Sequence, residues 1–149
     1  MSHEERNTVV SLITSLIINS YFLSRIWIMF HDGTSTAPNG LQIWAQTMLW
    51  VVPVAIVGTI VLTVLASIVT AILTGEKNPI FLVDERDRKF QLWALGATMA
   101  VMVAGFLTSM ILLAAGYGGF VAFTVIYLGF ALGDITGSLV KLGLYRCGV

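Results

Sequence analysis

The chain has 149 residues, 57% of them hydrophobic and only 11% charged, with eight basic and eight acidic residues balancing to zero net charge. A soluble domain carries about a quarter charged residues, so this composition excludes an ordinary water-facing surface, and the neutral balance gives nucleic acid nothing to grip. A single cysteine, Cys147, rules out an internal disulfide and paired-cysteine redox chemistry.

The length fits one integral domain over 1–149, and no cleavable leader is expected after the head "MSHEERN". A helix needs about 20 mainly apolar residues to cross the hydrocarbon, and four segments qualify. The first runs over about 9–30 and ends in a loop dense in turn formers, "HDGTSTAPNG". The second, about 41–73, is too long for one straight crossing, so tilt, a bend at Pro53 or a protruding outer end is expected. The third covers about 90–115, and Gly116, Gly118 and Gly119 turn the chain into the fourth, about 120–140. The expected fold is therefore all-α, a four-helix transmembrane bundle.

Outside the spans, Arg6, Lys77, Arg86, Arg88, Lys89, Lys141 and Arg146 all fall on one side of this topology. By the positive-inside rule both termini are cytoplasmic, N-in/C-in. Trp27, Phe30 and Trp44 are expected at the outer interface, and Phe90, Trp93 and Tyr145 at the inner one.

Six charged residues stand side by side before the third span: Asp84, Glu85, Arg86, Asp87, Arg88 and Lys89. Asp84 is placed to cap the helix, with Asp87 three residues on as in a capping box. Asp84 with Arg88, and Glu85 with Lys89, are i, i+4 pairs with the acid first. A cap needs fewer charges than these, which leaves a surplus for a functional site.

Two ionisable residues fall inside spans, where charge is costly and usually faces protein or water. Arg25 lies near the outer end of the first span and either snorkels to the surface or joins a buried pair. Asp134, in the fourth span, is too short to snorkel. Arg86 or Arg88 reaching inward is the expected partner, with Lys141 a third option, so that the charge cluster and Asp134 form one ionic network. Its structural reading is a salt bridge, and its functional reading is a proton- or cation-responsive site.

Small residues recur at four-residue spacing on every span. Gly129, Gly133 and Gly137, with Ala122, form a ridge for close helix approach. The second span carries Ala55, Thr59, Thr63, Ser67 and Ala71, and the third Gly96, Ala100, Ala104 and Thr108. The first has a polar stripe, Ser11, Ser15 and Asn19, with Asn19 near mid-bilayer. These patterns favour a tight bundle, with a leftover stripe joining a second copy or another subunit.

No catalytic constellation, zinc spacing or phosphate loop stands out. His3 and His31 lie on opposite sides of the membrane and cannot clamp a haem, and no cofactor or metal is expected; aromatic residues near Trp50 or Trp93 are weak grounds for a quinone or pigment. The stretch "DERDRKF" before the third span and the tail "VKLGLYRCGV" resemble a family of small prokaryotic four-span membrane proteins that is catalogued as a domain of unknown function. Asp84, Glu85, Arg86, Tyr145, Arg146 and Gly148 carry the likeness, which covers about the last half of the chain and implies no particular activity. Small multidrug exporters resemble the chain less, since their essential membrane glutamate lies in the first span, where this sequence has none.

Together these features lead to an expected non-enzymatic protein of a prokaryotic plasma (inner) membrane. It would act through helix contacts as an accessory or regulatory subunit, a homo-oligomer or part of a larger membrane complex, with the lipid bilayer as its solvent. The alternative is a small ion- or proton-coupled transporter centred on Asp134.

Overall fold

A computed structural model describes residues 3–74 and 85–147. Five helices follow one another, with no strand among the described residues: α1 (His3–His31), α2 (Gly40–Leu49), α3 (Val51–Thr74), α4 (Glu85–Ala114) and α5 (Gly119–Cys147). They supply four spans long and apolar enough to cross a membrane, because α2 and α3 together make one of them. The chain is an all-α, multi-pass four-helix bundle, and its exposed Val, Leu and Ile side chains are those a bilayer solvates.

The interruption of the second span has a local cause. Proline lacks the N–H that would bond the carbonyl four residues back, and its ring crowds that carbonyl. For Pro53 the carbonyl is that of Leu49, where α2 ends. The Trp50 amide turns back to the Thr47 carbonyl at 3.2 Å, and α3 resumes with the Val54 amide on the Trp50 carbonyl at 3.1 Å. The interruption falls at Trp50, one turn ahead of the proline.

The first loop is a short 3-10 turn, Thr34–Thr36. Asp32 precedes it and accepts from the Thr34 amide at 3.0 Å. Hydrogen bonds from the Thr34 side chain and backbone hold the Asp32 carboxyl below its ordinary value. The last loop closes as a Schellman cap. Gly116, at φ 88°, donates to Leu113, and Tyr117 donates to Leu112, both at 3.0 Å. So short a turn makes α4 and α5 antiparallel neighbours.

These two helices pack along their length at backbone distance. A Cβ on Gly105 would sit 2.7 Å from the Gly129 Cα, and one on Gly137 would overlap the Thr98 hydroxyl. Gly129, Gly133 and Gly137 are all buried, as is Ala122. On α4 the contact face is Phe90, Ala94, Thr98, Gly105 and Ser109. The expected stripe Gly96, Ala100, Ala104 and Thr108 is exposed. It sits two residues, about 200°, around the helix from Ala94 and Thr98. Ser109 is fully buried and donates to the Ala122 carbonyl at 2.8 Å. Ser109→Ala is expected to cost about 1 kcal/mol, read as a lower melting temperature in detergent.

α1 lies against α5 on one side and α3 on the other, while α3 and α4 make no comparable contact among the described residues. The spans therefore form an open arc in the order α3, α1, α5, α4, with the start of α1 and the end of α5 at one end. At the opposite, loop end, Phe22, Ile26, Met29, Trp44, Phe120 and Tyr127 form the apolar core. Trp44, expected as an interface anchor, is buried there beside Phe123, at 5.8 Å between ring centroids. α2 folds over α1 and α5 at that point, which covers the indole. Trp27 and Trp93, by contrast, are largely exposed.

Candidate functional site

Asp134 faces α1, and its carboxylate accepts a hydrogen bond from the Ser15 hydroxyl. Two cavities meet at this residue. One, of about 420 Å³, runs between α1, α4 and α5 toward the termini and is polar along Asn7, Ser11, Gln91, Ser138 and Lys141. The other, of about 470 Å³, lies at mid-span where the arc is open between α3 and α4. Its walls include Ile18, Met48, Val52, Met102 and Phe130. Asp134 and Thr98 line both cavities. The exposed Asp134 carboxylate thus stands where a polar groove from the terminal end reaches an open apolar cleft between the spans.

One helical stage farther in, the Tyr127 hydroxyl donates to the Asn19 side-chain oxygen at 2.8 Å. Tyr127 and Asp134 are seven residues apart on α5, hence on one face, and Ser15 and Asn19 are four apart on α1. Two polar rungs therefore tie the antiparallel pair. The polar stripe on α1 was legible in the sequence, but its partners were not identified; the seven-residue spacing of Tyr127 and Asp134 was the available signal. Tyr127→Phe leaves the Asn19 oxygen without its donor, and a loss of about 1 kcal/mol in thermal unfolding is expected.

The expected ionic network between Asp134 and the charge cluster does not form among the described residues. Arg86 lies over the Phe90 ring, 5.1 Å from its centroid. Asp87 accepts from the Tyr145 hydroxyl at 2.6 Å, and Phe90 meets the Tyr145 ring edge-on. The cluster is thus level with Tyr145, eleven residues beyond Asp134 on α5. At 1.5 Å per residue that is about 16 Å, too far for an arginine side chain. Glu85, Arg86, Arg88 and Lys89 are exposed. Asp84, with its expected cap, and Gly148 lie outside the described residues.

Lys141 lines the polar cavity two turns along α5 from Asp134. Arg25 is on the opposite half of α1, exposed beside α2, and joins no buried ion pair among the described residues. Asn19 is bound to Tyr127. Gly133 and Gly137, flanking Asp134, press on Thr98 and so fix the α4 wall of the site. Among the described residues no three His, Cys, Asp or Glu side chains converge on a point that would hold a metal ion. Comparison with protein-family models, curated proteins and solved structures finds no match to this chain.

Proposed function

We propose that the protein is a small carrier for a proton or monovalent cation in a prokaryotic plasma membrane, with Asp134 as the binding group. The observation behind this reading is the position of that carboxylate. It lies on a span at the meeting of two cavities, open to both, with the Ser15 hydroxyl bonded to it. A membrane-embedded acid that faces a cavity marks an ion pathway more often than a scaffold contact. A single negative charge matches a single positive one.

In this reading both termini are cytoplasmic, as the distribution of Lys and Arg favours. The polar cavity is then the inner access route. Ser15 orients the carboxylate, Thr98 supplies a hydroxyl at the junction, and the Asn19–Tyr127 rung marks the deep limit of the polar path. The open side between α3 and α4 gives α3 room to move against α1. The protein carries out no covalent chemistry, and its likeness to small prokaryotic four-span proteins is part of the same proposal.

Proteoliposomes loaded with a pH- or cation-sensitive dye test it. Wild-type protein is expected to dissipate an imposed gradient, and liposomes that stay as tight as protein-free ones would end the carrier reading. A second reading, an accessory or oligomerising subunit, draws on the single flank by which α3 joins the bundle. A discrete particle larger than one chain in mild detergent, without transport, is the result that favours it.

A further inference from the structure

On the loop-end half of the bundle, the break at Trp50 leaves a notch between α1 and the α2–α3 joint, about 480 Å³ in volume. Five side chains with hydrogen-bond donors line it: Tyr21 and Arg25 from one face of α1, Gln46 and Thr47 from α2 and Trp50 at the joint. Thr47 donates to the Ile43 carbonyl at 3.0 Å, and none of the other four side chains hydrogen-bonds or ion-pairs with another group among the described residues. No carboxylate lines the notch, and Phe22 and Val54 give it an apolar floor. We propose that this notch binds the phosphate of an anionic phospholipid, with Arg25 as its principal contact.

Charge and depth both support this occupant. A guanidinium within a span is costly unless it meets an anion or water. Arg25 lies six residues before the end of α1, about 9 Å along the axis, so its stem can carry the head group to the phosphate layer. The planar fork of arginine matches two phosphate oxygens. Gln46, Tyr21 and the Trp50 indole N–H add neutral donors, and Trp and Tyr favour this interfacial depth. The apolar floor suits the upper part of an acyl chain, which free phosphate lacks. With no carboxylate lining the notch, an ammonium in the head group finds no counter-charge within it. Phosphatidylglycerol is therefore preferred to phosphatidylcholine. This site is independent of Asp134 and stands or falls without the carrier reading.

Native mass spectrometry of the full chain in mild detergent, titrated with each lipid, tests the proposal. Wild-type protein is expected to retain one phosphatidylglycerol with about tenfold preference over phosphatidylcholine. Arg25→Gln is expected to lower that retention about tenfold, Arg25→Lys less, and Trp50→Phe by a smaller factor, while Arg146→Gln at the far end changes nothing. Each variant's melting curve is recorded, so that lost lipid binding is scored only in folded protein. Equal retention by Arg25→Gln and wild type overturns the proposal, as does equal binding of the two lipids. Displacement of the lipid by inorganic phosphate at matched concentration overturns it too, since the notch would then select a soluble anion.

Discussion

Replacing Gly105 with leucine is expected to take the α4–α5 hairpin apart. A Cβ there would already stand 2.7 Å from the Gly129 Cα, a distance real side chains do not reach, and the opposing atom is backbone. No rotamer change relieves that contact, so the helices must separate or slide. Overpacking costs about 1–3 kcal/mol where side chains can yield, and more where main chain must move. The same separation would loosen Gly133 and Gly137 from Thr98 and open the wall of the Asp134 site. The expected readout is a broad, strongly lowered melting transition and aggregation on size exclusion in detergent. Gly96→Leu is the matched control. It lies on the opposite face of α4, where an added Cβ meets nothing within 4 Å, and its effect should stay within about 0.5 kcal/mol. Equal damage from the two substitutions would show that the glycine crossing does not hold the hairpin.

Asp134→Asn is expected to abolish carrier activity while leaving the bundle intact. Asparagine keeps the shape and can still accept from Ser15, so the rung between α1 and α5 survives; only the charge is lost. Binding a monovalent cation then relies on neutral oxygens against an apolar wall, and gradient dissipation in proteoliposomes should fall by on the order of a hundredfold or more. Asp134→Glu keeps the charge but shifts it by one methylene and should retain partial flux. Ser15→Ala removes the orienting hydroxyl and should reduce flux less than the loss of charge does, because a hydrogen bond to a charged group contributes about 1.5–3 kcal/mol at most. Flux in Asp134→Asn equal to that of the wild type would remove the carboxylate from the mechanism.

The four spans were legible because hydrocarbon thickness imposes a length and a composition on any crossing helix. The glycine ridge of α5 was legible because close approach needs residues without bulk. The face that α4 presents was not. In a bilayer both faces of a helix are apolar, so the contrast that reveals a buried face in water is missing, and Gly96, Ala100, Ala104 and Thr108 made as regular a pattern as the true contact. Register was legible but went unread. Whether Arg88 lies beside Asp134 or about 16 Å from it depends on how α4 slides along α5. The short turn sets that: Gly105 meets Gly129, each twelve residues from Tyr117, so the charges before α4 pair with the end of α5 and not with Asp134. Trp44 was misjudged because sequence position alone gives no sign that α2 folds inward over the core.

The order of helices around the arc differs from their order along the chain: the first span has the last one beside it, and that last one also holds the third. During synthesis, the hydroxyl and amide groups of Ser15 and Asn19 enter the lipid before their eventual partners on α5 have left the ribosome. Until α5 follows, those groups are left to water, to the insertion machinery or to carbonyls of their own helix. A chain stopped after its third crossing would leave those groups exposed to the membrane, a form that quality-control proteases can recognise.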